Sequence, residues 1–343
     1  MPNTPATAEL FAAVTACVAR DTLFTISGSS DPQVLVLAPH ECPRDAAFTH
    51  IDAMLDGELD LWQDHGSVAT ALATVAEAQR HGLRVAFAQV QVPRAVVDVN
   101  RELKVSTSGE LLDRGAIDPR WGGDAQLVQA LSRLYLSGME QIAALVALPS
   151  VRAVVSCHSY GQVGSTPDMA AGRTAELRPM TAFVCGAPWQ WADIAGLRQH
   201  LPRALHYVPW PAEFALLQEL DRLGLVPGPD PYRVVKQWPW TIEARARAAQ
   251  YLAAAVAQGL APTAVLGWPW QGDPDAQPPV PLDQVAPLRA ALCRYDDLEL
   301  ARRLHGLADD KLVTGVELSQ GNLDKAQALG TALGAGVARW LQG

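Results

Sequence analysis

The sequence predicts an α/β fold: a mainly parallel, twisted sheet flanked by helices, carrying a helical insertion rich in Trp and Pro. Three observations predict it. Short apolar, β-branched runs alternate with Ala-rich segments of helical period through the first half of the chain. The runs stand far enough apart for the crossover helices that parallel strands need. Hydrophobic residues fill 49% of 343 positions against 18% charged, which suits a large buried core and not a disordered chain.

The elements follow in order. Ala8–Ala19 reads as a helix, and Gln33–Ala38 (QVLVLA) as a buried strand closed by Pro39. Val68–His81 is Ala-rich and helical in pattern, and stops at Gly82. Leu83–Val90 and Ala95–Val99 read as strands, Asp124–Leu148 as a helix, and Val151–Cys157 (VRAVVSC) and Thr181–Cys185 as strands. From about Ala192 to Gly306 the pattern is mostly helical, broken by the Pro-rich stretches Val226–Pro231 and Gly272–Pro281. This 192–306 segment is expected to be an insertion or cap within a single domain spanning 1–343. Seven of the ten tryptophans lie between Trp189 and Trp270, two pairs of them in Trp-Pro-Trp. They suit packing anchors or a wall facing a ligand. Lys311–Leu318 (KLVTGVEL) reads as the last strand. Asp324–Trp340 reads as the closing helix, with Asn322 or Asp324 as its cap.

Composition excludes several classes. The net charge is −9 with no basic cluster, so no nucleic-acid partner is expected. Mean hydropathy is +0.05, and no apolar run approaches the roughly 20 residues of a membrane span. No leader pattern precedes Leu10. Five scattered cysteines form no CxxC and read as reduced, buried thiols of a cytoplasmic protein. There is no HExxH, no GxSxG elbow and no phosphate-binding Gly-Lys loop.

Ligands of open α/β sheets bind beyond the carboxyl ends of the strands. Ionisable groups stand at three such ends: His40-Glu41 after QVLVLAP, His158 after VRAVVSC, and Glu317 in KLVTGVEL. A single histidine in such a place reads as a satisfied core residue. Three ionisable strand ends in one sheet read as a site, because each buried group needs a partner. Two histidines and a carboxylate converging on one edge would suit zinc, with one position open for water.

These residues fall in motifs. Leu35–His40 (LVLAPH), Pro93–Arg101 (PRAVVDVNR), Val155–Ser159 (VSCHS), Pro167–Gly172 (PDMAAG) and Val316–Gln320 (VELSQ) together resemble the ordered motifs of the N-formylglutamate amidohydrolases. The resemblance covers roughly 33–190 and 310–341. It implies a fold like the zinc carboxypeptidases and aspartoacylases, and a single zinc ion per chain. By the resemblance, His40 and His158 are metal ligands and Asp64, just before a helix, is the third, with Glu41 and Asp45 as rivals. Glu317 would be the general acid–base, and Arg94 would stabilise an oxyanion or support Asp98. Asn100 and Arg101 would grip a substrate carboxylate, a task suited to a bidentate guanidinium.

The sequence also departs from the family. Ser156 stands where an acid is expected two residues before His158, and the family's late arginine motif has no clear equivalent. Three readings stay open: a zinc amidohydrolase acting on an N-acyl amino acid or peptide-borne residue, a carboxypeptidase-like peptidase, and a binding protein on the same scaffold. The expected partner is a small molecule or peptide bearing a carboxylate.

Overall fold

The computed structural model describes residues 5–57, 60, 62–106, 109–112, 115–161, 180–185, 210–225, 234–236, 241–270, 284 and 311–343. It opens with helix α1 (Pro5–Val18) and strands β1 (Phe24–Gly28) and β2 (Val34–Ala38). Helices α2 (Ala46–Met54) and α3 (Ser67–Arg80) lead to β3 (Val85–Val90), and α4 (Ala125–Val146) leads to β4 (Ala153–Tyr160). Then come β5 (Thr181–Cys185), α5 (Trp210–Arg222), β6 (Val234–Lys236) and α6 (Ile242–Ala257). Strand β7 (Leu312–Ser319) and helix α7 (Ala326–Gln342) close the chain.

Among the described residues seven strands form one sheet, in the order β1-β3-β2-β4-β7-β5-β6. Its centre is parallel: β3 pairs with β2, β2 with β4, and β4 with β7 in the same direction. The margins are not. β1 is antiparallel to β3, and β5 is antiparallel to β7 with β6 beside it. The sheet is therefore mixed, which corrects the expectation of a mainly parallel one at its edges. Strand β1 was not foreseen because FTISG is short and only Phe24 is buried.

The central strands are buried along their whole length, as strands covered on both faces must be. Alternation divides their side chains between two cores. Leu35, Leu37, Val154 and Val313 face α1, α4 and α6, with Trp121 and Trp270. Val34, Val36, Val155 and Val316 face α3, α5 and α7. Helices α3 and α7 approach so closely that a Cβ at Gly334 would lie 2.7 Å from the Thr74 carbonyl. At Gly330 a Cβ would collide with the Thr70 carbonyl.

Asp124 starts α4 by accepting the Gln126 and Leu127 amides, a favourable N-cap. Ala95–Val99 is not a strand. Val96 and Val97 fold back onto the Pro93 carbonyl, and Val97 alone bridges to Ile117. Nor does Asn322 or Asp324 cap the last helix. Residues Gln320–Lys325 form a 3-10 turn, Asp324 pairs with Lys325, and no side chain caps α7. Within 192–306, the described residues include β6, so this stretch reaches into the sheet as well as supplying α5 and α6. Trp270 is buried against the α4 side of the core, while Trp238–Trp240 and Pro167–Gly172 lie outside the described residues. Cys17, Cys42 and Cys157 are free and buried. Among the described residues no helix is long and apolar enough to cross a membrane.

Candidate metal centre

From β2 the chain crosses by α3 to β3 on one side, then returns by α4 to β4 on the other. The two crossovers cover opposite faces of the sheet. Such a reversal opens a crevice at the carboxyl ends of the two strands. His40 follows β2, and His158 lies near the end of β4 on the face shared with Ser156 and Val154. Their rings meet there with centroids 5.1 Å apart.

Asp64 stands between them. Its Oδ2 lies 3.1 Å from His40 Nδ1 and 3.0 Å from His158 Nδ1. It is held just before α3 by its backbone: its N–H donates to the His40 carbonyl, and its own carbonyl accepts the Ser67 N–H. Gly66 makes the turn into α3 with φ +83°, where a Cβ would be strained and would meet Leu323 at 2.8 Å.

The rivals of Asp64 are placed elsewhere. Glu41 accepts the Val68 amide and the Ser67 hydroxyl, so its carboxylate is spent on the start of α3. Asp45 is the N-cap of α2, accepting the Phe48 amide and pairing with Arg20. The first turn of a helix draws a nearby carboxylate strongly, which explains both placements.

Around this group lies a shell of charge. His40 Nε2 faces Asp98 Oδ1 at 3.1 Å. His158 Nε2 faces Glu243 Oε1 at 2.6 Å and Ser156 Oγ at 2.9 Å. Arg94 donates to Asp64 Oδ1 and to Asp98 Oδ2, each at 3.1 Å. Arg101 Nε donates to Asp98 Oδ2 at 2.9 Å, and the Asn100 amide to Asp98 Oδ1 at 2.9 Å. Arg94 thus braces Asp98, one of its two expected roles, and braces Asp64 as well. Asn100 turns its Oδ1 to the Ile242 amide at the start of α6. Arg101 keeps 40% of its side chain exposed, against 25% for Arg94. Glu317 is buried in β7 in register with His158, and it contributes to the field that keeps Arg94 charged.

The electrostatics follow from burial set against opposite charge. Burial opposes ionisation of Asp64, yet His40, His158 and Arg94 hold its carboxyl well below the usual range. Asp98 is buried too, and Arg94, His40 and Arg101 hold it low. Burial works against a charged His158, but Glu243 and Asp64 outweigh it and raise the ring to about 10. Glu243, equally buried, is held down to about 2 by that same imidazole.

The donor set fits a metal ion. A neutral imidazole has one N–H and one lone pair. Here both nitrogens of both rings face oxygen, and each ring has carboxylates on its two sides. Either the ring carries two protons, or a cation stands in for one of them. His40, His158 and Asp64 each offer one ligand atom, and these atoms lie within 4.8 Å of one another; the ring nitrogens that face Asp64 are the two Nδ1 atoms. Two imidazole nitrogens and one carboxylate oxygen are a set that zinc accepts.

The sequence reading missed Glu243. It sits in the first turn of α6, in a segment read as a cap. Two signals pointed toward it: an acid opening a helix, and the lack of an acid at position 156 to answer His158.

No family model matches the chain, and no curated protein matches it. Among solved structures it is similar to a gene product of Agrobacterium tumefaciens, at 13% identity and a TM-score of 0.43, over 94% of this chain and 95% of that one. It is also similar to an N-formylglutamate amidohydrolase from Ralstonia eutropha, at 12% identity and a TM-score of 0.44, over 94% of this chain and 98% of that one.

Proposed function

We propose that this chain is a zinc-dependent hydrolase of a C–N amide bond in an N-acyl amino acid or a peptide-borne residue, working in the manner of N-formylglutamate amidohydrolases. The observation that carries the reading is the convergence of His40, Asp64 and His158 at the strand-order reversal, with the two histidines in motifs that resemble that family. One zinc per chain would be held by these three residues. Zinc bound there would supply Lewis acidity and bring the pKa of a bound water to about 7.

The chain's own residues have separable tasks. Glu317, one strand from His158, takes a proton from the attacking water and returns it to the leaving nitrogen. Arg94 holds Asp64 and Asp98 and places a guanidinium beside the developing oxyanion. Arg101, the more exposed of the two arginines, meets a substrate carboxylate with the help of Asn100. The stretch 192–306, with its tryptophans, shapes what lies beyond the amide. Three free buried thiols suit a cytoplasmic setting.

Elemental analysis tests the reading. Wild-type protein loaded with zinc and freed of excess should retain one equivalent, and His158→Ala should retain almost none. A full equivalent in that variant would put the metal elsewhere. No uptake by the wild type would end the reading.

A further inference from the structure

The segment that carries α6 lies outside the motifs of the metal site, yet its first turn reaches into the site at three points. The Ile242 amide donates to Asn100 Oδ1 at 3.0 Å. Arg245 donates to the Arg101 carbonyl at 2.9 Å and touches the Tyr135 hydroxyl. Between them, Glu243 puts Oε1 2.6 Å from His158 Nε2. Ile242 and Ala246 bury themselves in the core on the face of β4 that bears Ser156 and His158, which sets the height and rotation of the helix. Glu243 is fully buried, and among the described residues its Oε2 has no hydrogen-bond partner. A carboxylate in that position is costly unless its contact to His158 matters.

We propose that Glu243 is the positioning residue of His158, taking the place of the acid that is absent at position 156. Its carboxylate accepts the Nε2 proton, which fixes the tautomer and leaves the Nδ1 lone pair, on the Asp64 side, available to a metal ion. Asp98 does the same for His40 from the opposite side. A carboxylate on the far nitrogen orients a ligand imidazole and raises its basicity, and its loss typically costs about 10- to 100-fold in metal affinity. The assignment rests on the metal reading above and deepens it: α6 would act on the metal through the hydrogen bond between His158 and Glu243.

The experiment uses the full chain and cobalt(II), read by its visible absorption and by competition with a chelator. Glu243→Gln should bind cobalt about 10- to 100-fold more weakly than wild type, with an altered spectrum. Ser156 Oγ lies 2.9 Å from the same nitrogen, so Ser156→Asp added to Glu243→Gln should recover most of the affinity. A helix that merely packs would not be rescued from β4. If Glu243→Gln folds poorly, the double variant still decides, since it restores the charge next to His158. Equal affinity and an identical spectrum for Glu243→Gln would overturn the assignment and leave the metal reading standing. So would weak binding that Ser156→Asp does not improve. A wild type that takes up no cobalt would remove both.

Discussion

The two histidines are held by different parts of the molecule, and the contrast shows how the site is built. His40 is answered by Asp98, a carboxylate of the same α/β frame, 58 residues further along the chain. Asp98 also takes hydrogen bonds from Arg94, Arg101 and the Asn100 amide. His158 is answered by Glu243, 85 residues away on α6, whose second oxygen finds no partner among the described residues. One brace is fixed from several directions and the other from few. The frame therefore holds His40 by itself, whereas His158 also takes a partner from α6.

Four outcomes would sharpen or break this division. The largest concerns the frame. Glu317→Gln should keep the metal and the fold while lowering kcat by about 100- to 10,000-fold, the usual scale of a lost general base. Near-normal turnover would remove Glu317 from the reaction, and loss of metal would make it a ligand.

The second concerns the stretch 192–306. The late arginine motif of the N-formylglutamate amidohydrolases has no clear equivalent in this sequence and seven tryptophans lie between Trp189 and Trp270, so free N-formyl-L-glutamate should be a poor substrate. A missing charge-paired arginine costs about 2–5 kcal/mol, roughly 30- to several-thousand-fold in kcat/KM. A kcat/KM above about 10⁴ M⁻¹s⁻¹ would be ordinary for an enzyme and would contradict this.

Stability separates the two braces directly. Asp98→Ala removes a buried partner shared by two arginines and a histidine and should cost about 3–5 kcal/mol in urea unfolding of the metal-free protein. Glu243→Ala removes the contact to His158 and an oxygen with no hydrogen-bond partner among the described residues, and should cost about 1–3 kcal/mol. Equal losses would erase the distinction.

The smallest effect is one of pH. Glu243, held down to about 2, stabilises the metal-free fold above its ordinary value of 4.5, and this is lost as pH falls toward 2. His158, raised to about 10, contributes fully below its ordinary 6.5, and this is lost as pH rises through 10. The stability gap between wild type and Glu243→Gln should therefore be widest near pH 4.5–6.5 and close toward both extremes. A gap independent of pH would mean that the pair is not ionised.

Much of the frame was legible because its signals are local. QVLVLA is apolar along its whole length, so it reads as a strand buried on both faces wherever it sits. Asp124 before a helical period marks the start of α4 without reference to anything distant. His40, His158 and Glu317 stood out because an ionisable group at the end of an apolar run needs a partner. Glu41, nearer to His40 in sequence than Asp64 is, shows where such reading stops. Proximity made it a candidate ligand, but the unfilled amide at the start of α3 claims its carboxylate. Ala95–Val99 has a strand's composition, yet Pro93 and Asp98 turn it into the loop that carries Asn100 and Arg101.

The sequence by itself determined the α/β class, the buried central strands and the residue types able to bind a metal. These depend on periodicity, burial and side-chain chemistry, all read within a few residues. Only the tertiary structure decided which carboxylate joins the two histidines, and that β2 and β4 stand side by side where the strand order reverses. It alone showed that Glu243, from α6, reaches His158. Strand order and helix docking are set by packing between segments far apart in the chain. A buried acid takes as its partner whatever base that packing brings within about 3 Å, and no local pattern records which one it will be.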